Sequence, residues 1–346
     1  MTEPNTHPPI AQAYDVVIVG GGAAGLSGAL TLARARRRVL VVDSGAPRNG
    51  PAGGVHNYLG REGIPPAELL ADGRADVIGY GGRVVDGTVT AVGALPTGTG
   101  EAGESADRFA VELADGASVR ARRLLVTTGL VDELPDVPGL AKRWGRDVLH
   151  CPYCHGWEVR AEPVGVLGTG PFAVHQALMV RQWCDDVVLF PHTAPTPTPE
   201  QTEQLAARGV GVAAGEVAGL EVRDDRLTGI RRGDGSVVAR AALFVAPRMI
   251  ARSAVLAGLG LSPVDVEMGG YVMGRQVPAD AMGATAVPGV WVAGNIADIQ
   301  AQVIGAAAAG MRAAAAINAD LIAEEIAGAV AAHRARAAST VGRSTG

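Results

Sequence analysis

The chemistry open to this chain is concentrated near its middle, in CPYCHGWEVR at 151–160. Cys151 and Cys154 flank two residues, and His155 follows directly. A Cys-x-x-Cys pair can close a small disulfide loop or hold half of a metal site. When His follows, it can also link a haem. The surroundings decide among these. A complete dinucleotide fingerprint lies upstream and a partial one lies immediately downstream, which favours a redox-active dithiol beside a nucleotide cofactor. Haem attachment follows export, whereas the opening MTEPNTHPPIAQ is polar and lacks an apolar export segment. A zinc module needs four ligands, and only His150 and His155 stand near the two cysteines.

A working dithiol must ionise near neutrality, although a free thiol titrates near ~8.5. Histidine titrates near ~6.5 and can take the proton and stabilise the thiolate. His155 is therefore the expected general base. His150 is the weaker candidate, because a side chain preceding Cys151 can point away. Glu158 is expected to orient a neighbour or to make a surface pair. Cys184, beside Trp183 on an apolar helix, is expected to be a buried core thiol.

These residues need elements to position them. The β-branched run 14–19 leads into Gly20-x-Gly22-x-x-Gly25, then a helix from about Ala24 to Ala35, then a second strand ending at Asp43. In that setting the glycines let the backbone approach a pyrophosphate at a helix N-terminus, and the acid bonds a ribose hydroxyl. The glycine- and proline-rich connection 47–70 is expected to cover the cofactor, with His56 and Asn57 in reach of it or Asn57 simply holding a turn. Strands follow from residue 82, with PTGTGEAGESAD as a flexible hairpin tip. LLVTTG at 124–129 closes the first unit at the cofactor end of a sheet.

Residues 130–140 read as a crossing between domains. A second strand–turn–helix unit follows, with Gly168-x-Gly170-x-x-Ala173. Its next strand ends in Phe190-Pro191-His192-Thr193, without an acid for ribose or an arginine cluster for a 2′-phosphate. Pro171 and Phe172 crowd a turn that needs small residues. The fold is expected to survive there with nicotinamide binding weakened. The chain then returns through a strand at 289–293 and Gly294-Asn295 to a long small-residue helix near Gln300, whose N-terminal dipole suits an electron-rich ring edge.

Composition narrows the classes. A length of 346 residues suits two domains. With 48 glycines, 4% aromatics and a formal charge of −5, the core must be Val, Leu, Ile and Ala, and nothing points to nucleic acid. The basic cluster Arg34–Arg38 is expected to be a solvated turn at a helix end. The run 306–321 is interrupted by Arg312, Asn318 and Asp320, so no membrane span is expected and a cytoplasmic address follows. There a vicinal dithiol serves catalysis, regulation or metal binding rather than stapling. Residues past about 330 are expected to be a disordered tail.

Together, the first fingerprint with Asp43, the VHNYLG loop, LLVTTG, the Cys-x-x-Cys before a second glycine turn and AGN…QAQV…AAAAGMRAA resemble the low-molecular-weight thioredoxin reductase family over about residues 14–325. The resemblance implies an α/β architecture of two Rossmann-like three-layer nucleotide-binding domains and a homodimer. It implies a discontinuous FAD domain, 1–130 with 251–330, an inserted NAD(P)-binding-like domain, 131–250, carrying the dithiol, and a tail, 331–346. The FAD-binding set it gives is Gly20, Gly22, Ala24, Gly25, Asp43, Ser44, Asn57, Thr128, Gly129, Gly294, Asn295, Gln302 and Val303.

Three departures matter: His155 in place of an acid, Pro191-His192-Thr193 in place of a phosphate-reading arginine stretch, and Ala293-Gly294-Asn295 in place of Ala-Gly-Asp. They are similar to the dithiol oxidase branch that closes disulfides in gliotoxin- and holomycin-type natural products. On that resemblance Cys151 exchanges with a small dithiol, Cys154 is nearest the flavin, and molecular oxygen takes the electrons, releasing hydrogen peroxide. The alternatives are an NADPH-dependent thioredoxin-type disulfide reductase and a reductase of small disulfides using another donor.

Overall fold

The computed structural model describes residues 11–96 and 107–343; the opening ten residues and the polar tip at 97–106 lie outside them. Strand β1 (Ala13–Val19) is buried almost throughout, and the glycine turn after it feeds α1 (Ala23–Arg34) and β2 (Val39–Asp43). Helix α2 (Pro66–Gly79) starts on a proline, where the missing N–H is no loss. Strands β3 (Arg83–Asp86), β4 (Val89–Ala94), β5 (Phe109–Leu113) and β6 (Ser118–Val126) complete most of the first sheet.

The chain crosses out through β7 (Leu130–Glu133) and reaches α3 (Leu140–Arg143), β8 (Val148–Leu149) and the one-turn helix α4 (Pro152–His155). A second strand–turn–helix unit comprises β9 (Val164–Leu167), α5 (Ala173–Val180) and β10 (Val187–Phe190). Helix α6 (Pro199–Ala207) follows, held by a capping box between Thr198 and Gln201. Next come β11 (Gly211–Val212), β12 (Val217–Arg223), β13 (Arg226–Arg232), β14 (Val237–Val238) and β15 (Ala242–Val245). The return runs through β16 (Arg248–Ala251), the hairpin β17 (Val264–Met268) and β18 (Tyr271–Gln276), β19 (Val290–Val292) and α7 (Val303–Arg343).

The first sheet has seven strands in the order β3-β2-β1-β6-β5-β4, with β19 also paired to β6. Strand β6 serves two neighbours in turn, antiparallel β5 along 118–121 and parallel β19 along 124–126. The second sheet, β11-β10-β9-β15-β8, is parallel throughout. Between them β7 and β16 pair antiparallel, Leu130 opposite Ala251, and β17-β18 extend that pair into a four-stranded sheet. This is an α/β fold with two Rossmann-like units, as the strand–turn–helix patterns predict. No helix among the described residues is long and apolar enough to cross a membrane.

Two expectations need correction. The residues past 330 continue α7, which is 41 residues long and ends at Arg343. Their low hydrophobicity suggested disorder, but alanine has the highest helix propensity and the helix is already nucleated upstream. The basic turn is not wholly solvated either. Arg37 donates to Asn318 at 2.7 Å and Glu325 at 2.5 Å, pinning α7 to the end of α1.

Arg123 strengthens this anchor. Its side chain is 2% exposed and meets Asp320 at 2.5 Å and Glu324 at 2.7 Å. Burial opposes ionisation of Glu324, yet hydrogen bonds from Arg123 and Arg122 outweigh it and hold its pKa at about 2. Because that folded value lies below the ordinary carboxylate range, the stabilisation is present above about pH 4.5 and is lost as pH falls towards 2. Arg123→Gln is expected to lower unfolding free energy by about 2–3 kcal/mol in urea titration, short of a fully buried pair because Asp320 keeps water. The difference from the parent should shrink below pH 4.

Candidate functional site

Residues 151–160 form a short helical turn against the loop that follows β2. Cys151 is the N-cap of α4, and Pro152 starts the helix. The two Sγ atoms lie 2.6 Å apart, so little movement separates the dithiol from its disulfide. The thiol of Cys154 and the backbone N–H groups of Cys154 and Tyr153 point at Cys151, while Arg48 adds positive charge. Together these outweigh burial and lower the Cys151 pKa to about 7. Its neighbouring thiolate and burial push Cys154 the other way, well above an ordinary thiol. The pair is therefore polarised, with Cys151 the thiolate.

His155 is pushed down by burial, against the pull of Glu158, so it is a neutral base near neutrality. His150 is half-buried and is driven down to about 4, by burial first and then by Arg48. It too is neutral, and its carbonyl accepts from Gln176 at 3.3 Å. Cys184 is a buried core thiol, raised to about 11 by burial.

Sequence reasoning missed the partners that the fold supplies. Arg48 is fixed by Asp132 through two bonds of 2.8 and 2.6 Å. Asn57, at φ +60°, donates its amide to the Tyr153 carbonyl at 2.8 Å. The structure thus directs the Asn57 amide at the redox turn and gives Asn57 the turn geometry that was one of its two expected roles. His56 meets Glu62 at 2.6 Å and Glu158 at 3.4 Å, so Glu158 does pair as expected. Only the positive φ of Asn57 had a local signal, since Asn tolerates that region.

The first glycine turn is shaped for an anion. Gly20 has φ +106°, and a methyl there would lie 2.6 Å from the Thr127 carbonyl oxygen. At Gly25 it would lie 1.9 Å from the Gly20 oxygen, so α1 starts hard against the strand. Gly22 is different: nothing lies within 4 Å of a methyl built on it, leaving the first turn of α1 open to a ligand. Asp43 closes the far side, against Gly21, and its Oδ2 accepts from Arg74 at 2.5 Å. Ser44 is exposed beside it.

Thr128 and Gly129 sit at the end of β6, where Thr128 donates to the Arg252 carbonyl at 2.6 Å. Gly294, at φ +76°, packs on Ala24. Asn295 spends its side-chain N–H groups on the carbonyls of Asp298, at 3.0 Å, and Ala301, at 2.9 Å, fixing the turn that carries Gln302 and Val303 into α7. The residues expected at the nucleotide, Asn57 in the loop after β2 included, thus lie on or beside the first sheet's loops.

The second glycine turn is filled by protein. A methyl on Gly170 would lie 2.7 Å from Cζ and 2.8 Å from Oη of Tyr271, which comes from β18. Phe172 stands edge-on to that ring, centroids 6.2 Å apart. Only about 30 Å³ of cavity remains beside the two rings. At the end of β10, His192 takes φ +49° and its Nδ1 accepts from the Val217 N–H at 3.1 Å.

Known proteins are similar to this chain in sequence and fold. The crystal structure of HlmI is 47% identical, with a TM-score of 0.82 over 92% of this chain and 96% of that one. Thioredoxin reductase sirT of Leptosphaeria maculans is 27% identical over 323 residues, 88% of this chain and 93% of that protein. Thioredoxin reductase tcpT of Claviceps purpurea is 36% identical over 171 residues, 49% of this chain and 51% of that protein. The chain spans about half the length of several curated relatives it matches, tcpT among them. The sequence pattern of pyridine nucleotide-disulphide oxidoreductases matches residues 14–314. The chain belongs to that family of FAD-binding flavoproteins, and within it is thioredoxin reductase-like.

Proposed function

We propose that this chain is an FAD-dependent dithiol oxidase that closes an intramolecular disulfide in a small-molecule dithiol of the holomycin or gliotoxin type. In this reading it is a cytoplasmic homodimer. Residues 1–130 and 251–330 carry the flavin and 131–250 carry the dithiol. The observation that carries the reading is Tyr271, whose ring occupies the glycine turn where a nicotinamide cofactor would place its phosphates. With Pro191 and His192 after β10 instead of an acid, that second unit offers little to a nicotinamide. The first unit, by contrast, fits FAD: its turn is open at Gly22, Asp43 stands beside it, and α1 and α7 aim their N-termini nearby.

The chain's own residues perform the sulfur steps. In the oxidised pair Cys151 is the exchange sulfur, and a substrate thiolate attacks it and expels Cys154. The second substrate thiol then displaces Cys151 and closes the product disulfide. His155 takes the proton each thiol must lose, and Arg48 favours the resulting thiolate. Bound FAD supplies an acceptor for the electron pair held by the dithiol and hands it to molecular oxygen, giving hydrogen peroxide.

The test follows the flavin absorbance of purified enzyme without oxygen. Dithiothreitol is expected to bleach it, and air to restore it with one peroxide per dithiol oxidised. Rapid bleaching by NADPH would instead make the chain a nicotinamide-dependent disulfide reductase.

A further inference from the structure

A helix of one turn has no stability of its own, so α4 must be held from outside. The segment that holds it is α5 with the turn that continues it to Cys184. Gln176 donates to the His150 carbonyl at 3.3 Å, and the Cys184 thiol donates to the Val159 carbonyl at 3.5 Å. These tie the two ends of the redox stretch, but the first bond is long and the second has a weak donor. The close contact lies between them, at Trp183, which is half-buried at the margin of the second unit's core. A methyl on Gly156 would lie 2.7 Å from Cγ and 2.9 Å from Cδ2 of that indole, so the backbone of the turn rests directly on the ring. Tyr153 meets the same ring edge-on, centroids 5.2 Å apart. Four points of the stretch, at 150, 153, 156 and 159, thus meet one segment.

We propose that Trp183 is the positioning residue of the dithiol, its ring supporting Gly156 and Tyr153 and so holding the turn that keeps the two sulfurs together. This rests on the dithiol chemistry proposed above. Cys151 is the N-cap of the turn and Cys154 its third residue, so the 2.6 Å between their Sγ atoms depends on the turn staying wound. The shortest of its backbone bonds, 2.7 Å, runs from the Gly156 N–H to the Pro152 carbonyl, and Gly156 is the residue the indole supports. Without the ring the turn can unwind from that end. The Cys154 thiol then leaves Cys151, and Cys151 returns towards an ordinary thiol. Trp183 acts on both sulfurs through the backbone.

The test follows alkylation of Cys151 by iodoacetamide across pH, read by peptide mapping, in holoenzyme kept reduced by a phosphine without oxygen. In the parent the rate should be half-maximal near pH 7. Trp183→Ala is expected to move that point up by at least about one pH unit, which makes alkylation at pH 7 about fivefold slower. Trp183→Phe keeps ring carbons in the places of Cγ and Cδ2 and should keep the parental profile. Leu205→Ala is the control for packing alone: Leu205, on α6, is buried in the same core, so its loss should lower the thermal midpoint and leave the profile in place. Where Trp183→Ala does not fold, Trp183→Leu, apolar but without a ring, takes its place. A parental profile in the variant without the ring overturns the proposal. So does an equal displacement in Trp183→Phe or in Leu205→Ala, since either removes any special part for the ring. A parent half-maximal near ~8.5 overturns it as well, because no acidity is then left for the turn to maintain. Alkylation needs no flavin turnover, so these outcomes are read even if dithiothreitol fails to bleach the parent and the oxidase reading falls by itself.

Discussion

Cys151→Ser is expected to stop dithiol-driven bleaching of the flavin, a loss of about a thousandfold or more, as for removal of any covalent nucleophile. Cys154→Ser should fail as badly in turnover yet behave differently in partial reactions. The polarised pair gives the reason. Cys151 sits where two backbone N–H groups and Arg48 favour its thiolate, at about 7, whereas Cys154 is held protonated by that thiolate and by burial. Reduced enzyme should therefore be alkylated first at Cys151, with the rate half-maximal near pH 7 and rising as the thiolate fraction rises. Peptide mapping after brief iodoacetamide treatment reads this directly. Cys154→Ser should form a lasting mixed disulfide with an activated aromatic disulfide, because no second sulfur remains to resolve it. Cys151→Ser should form little at the same pH. Equal reactivity of the two sulfurs would contradict the assignment of roles.

Gly310→Ala should remove flavin and stability together. Helices α1 and α7 cross with their backbones nearly in contact. A methyl on Gly310 would lie 1.9 Å from the Ala24 carbonyl oxygen, and one on Gly28 would lie 3.1 Å from the Gly310 oxygen. Backbone cannot rotate aside as a flexible side chain can, so α1 must shift, carrying with it the first turn that faces the nucleotide. The cost is expected to be at least about 3 kcal/mol, the upper end for overpacking, with most of the yellow colour lost on purification. Gly328→Ala is the control on the same helix. Nothing lies within 4 Å of a methyl there, so it should be neutral or stabilising by up to about 1 kcal/mol. Flavin-to-protein ratio and thermal midpoint distinguish the two.

What could be read from the sequence was what depends on neighbours along the chain. The strand–glycine–helix unit at 14–43 and its second copy at 164–190 declare themselves through period, glycine spacing and β-branched runs. The redox pair is a four-residue motif and is equally local. The partners that tune it come from far along the chain. Arg48, His56 and Asn57 lie in a loop without regular periodicity, and only folding sets them beside residues 151–158. Pro171 and the missing acid mark the second glycine turn as crowded, but Tyr271 carries no local signal, because an aromatic on an edge hairpin has many uses. The end of α7 differs from expectation for the opposite reason: a composition poor in large apolar residues predicts disorder, yet alanine and arginine favour a helix that is already under way.

Tyr271 also has a mechanical consequence. The chain passes between its seven- and five-stranded sheets along paired β7 and β16, a two-strand joint of the kind that ordinarily bends. Strand β18 is bonded to β16, and its first residue is the ring seated against Gly170 in the second unit. A side chain of one part lodged in a socket of the other acts as a dowel beside a hinge. Swinging the five-stranded sheet about β7 and β16 would require drawing that ring out, or dragging the whole hairpin along. The ring that seats in the second glycine turn therefore also stiffens the joint.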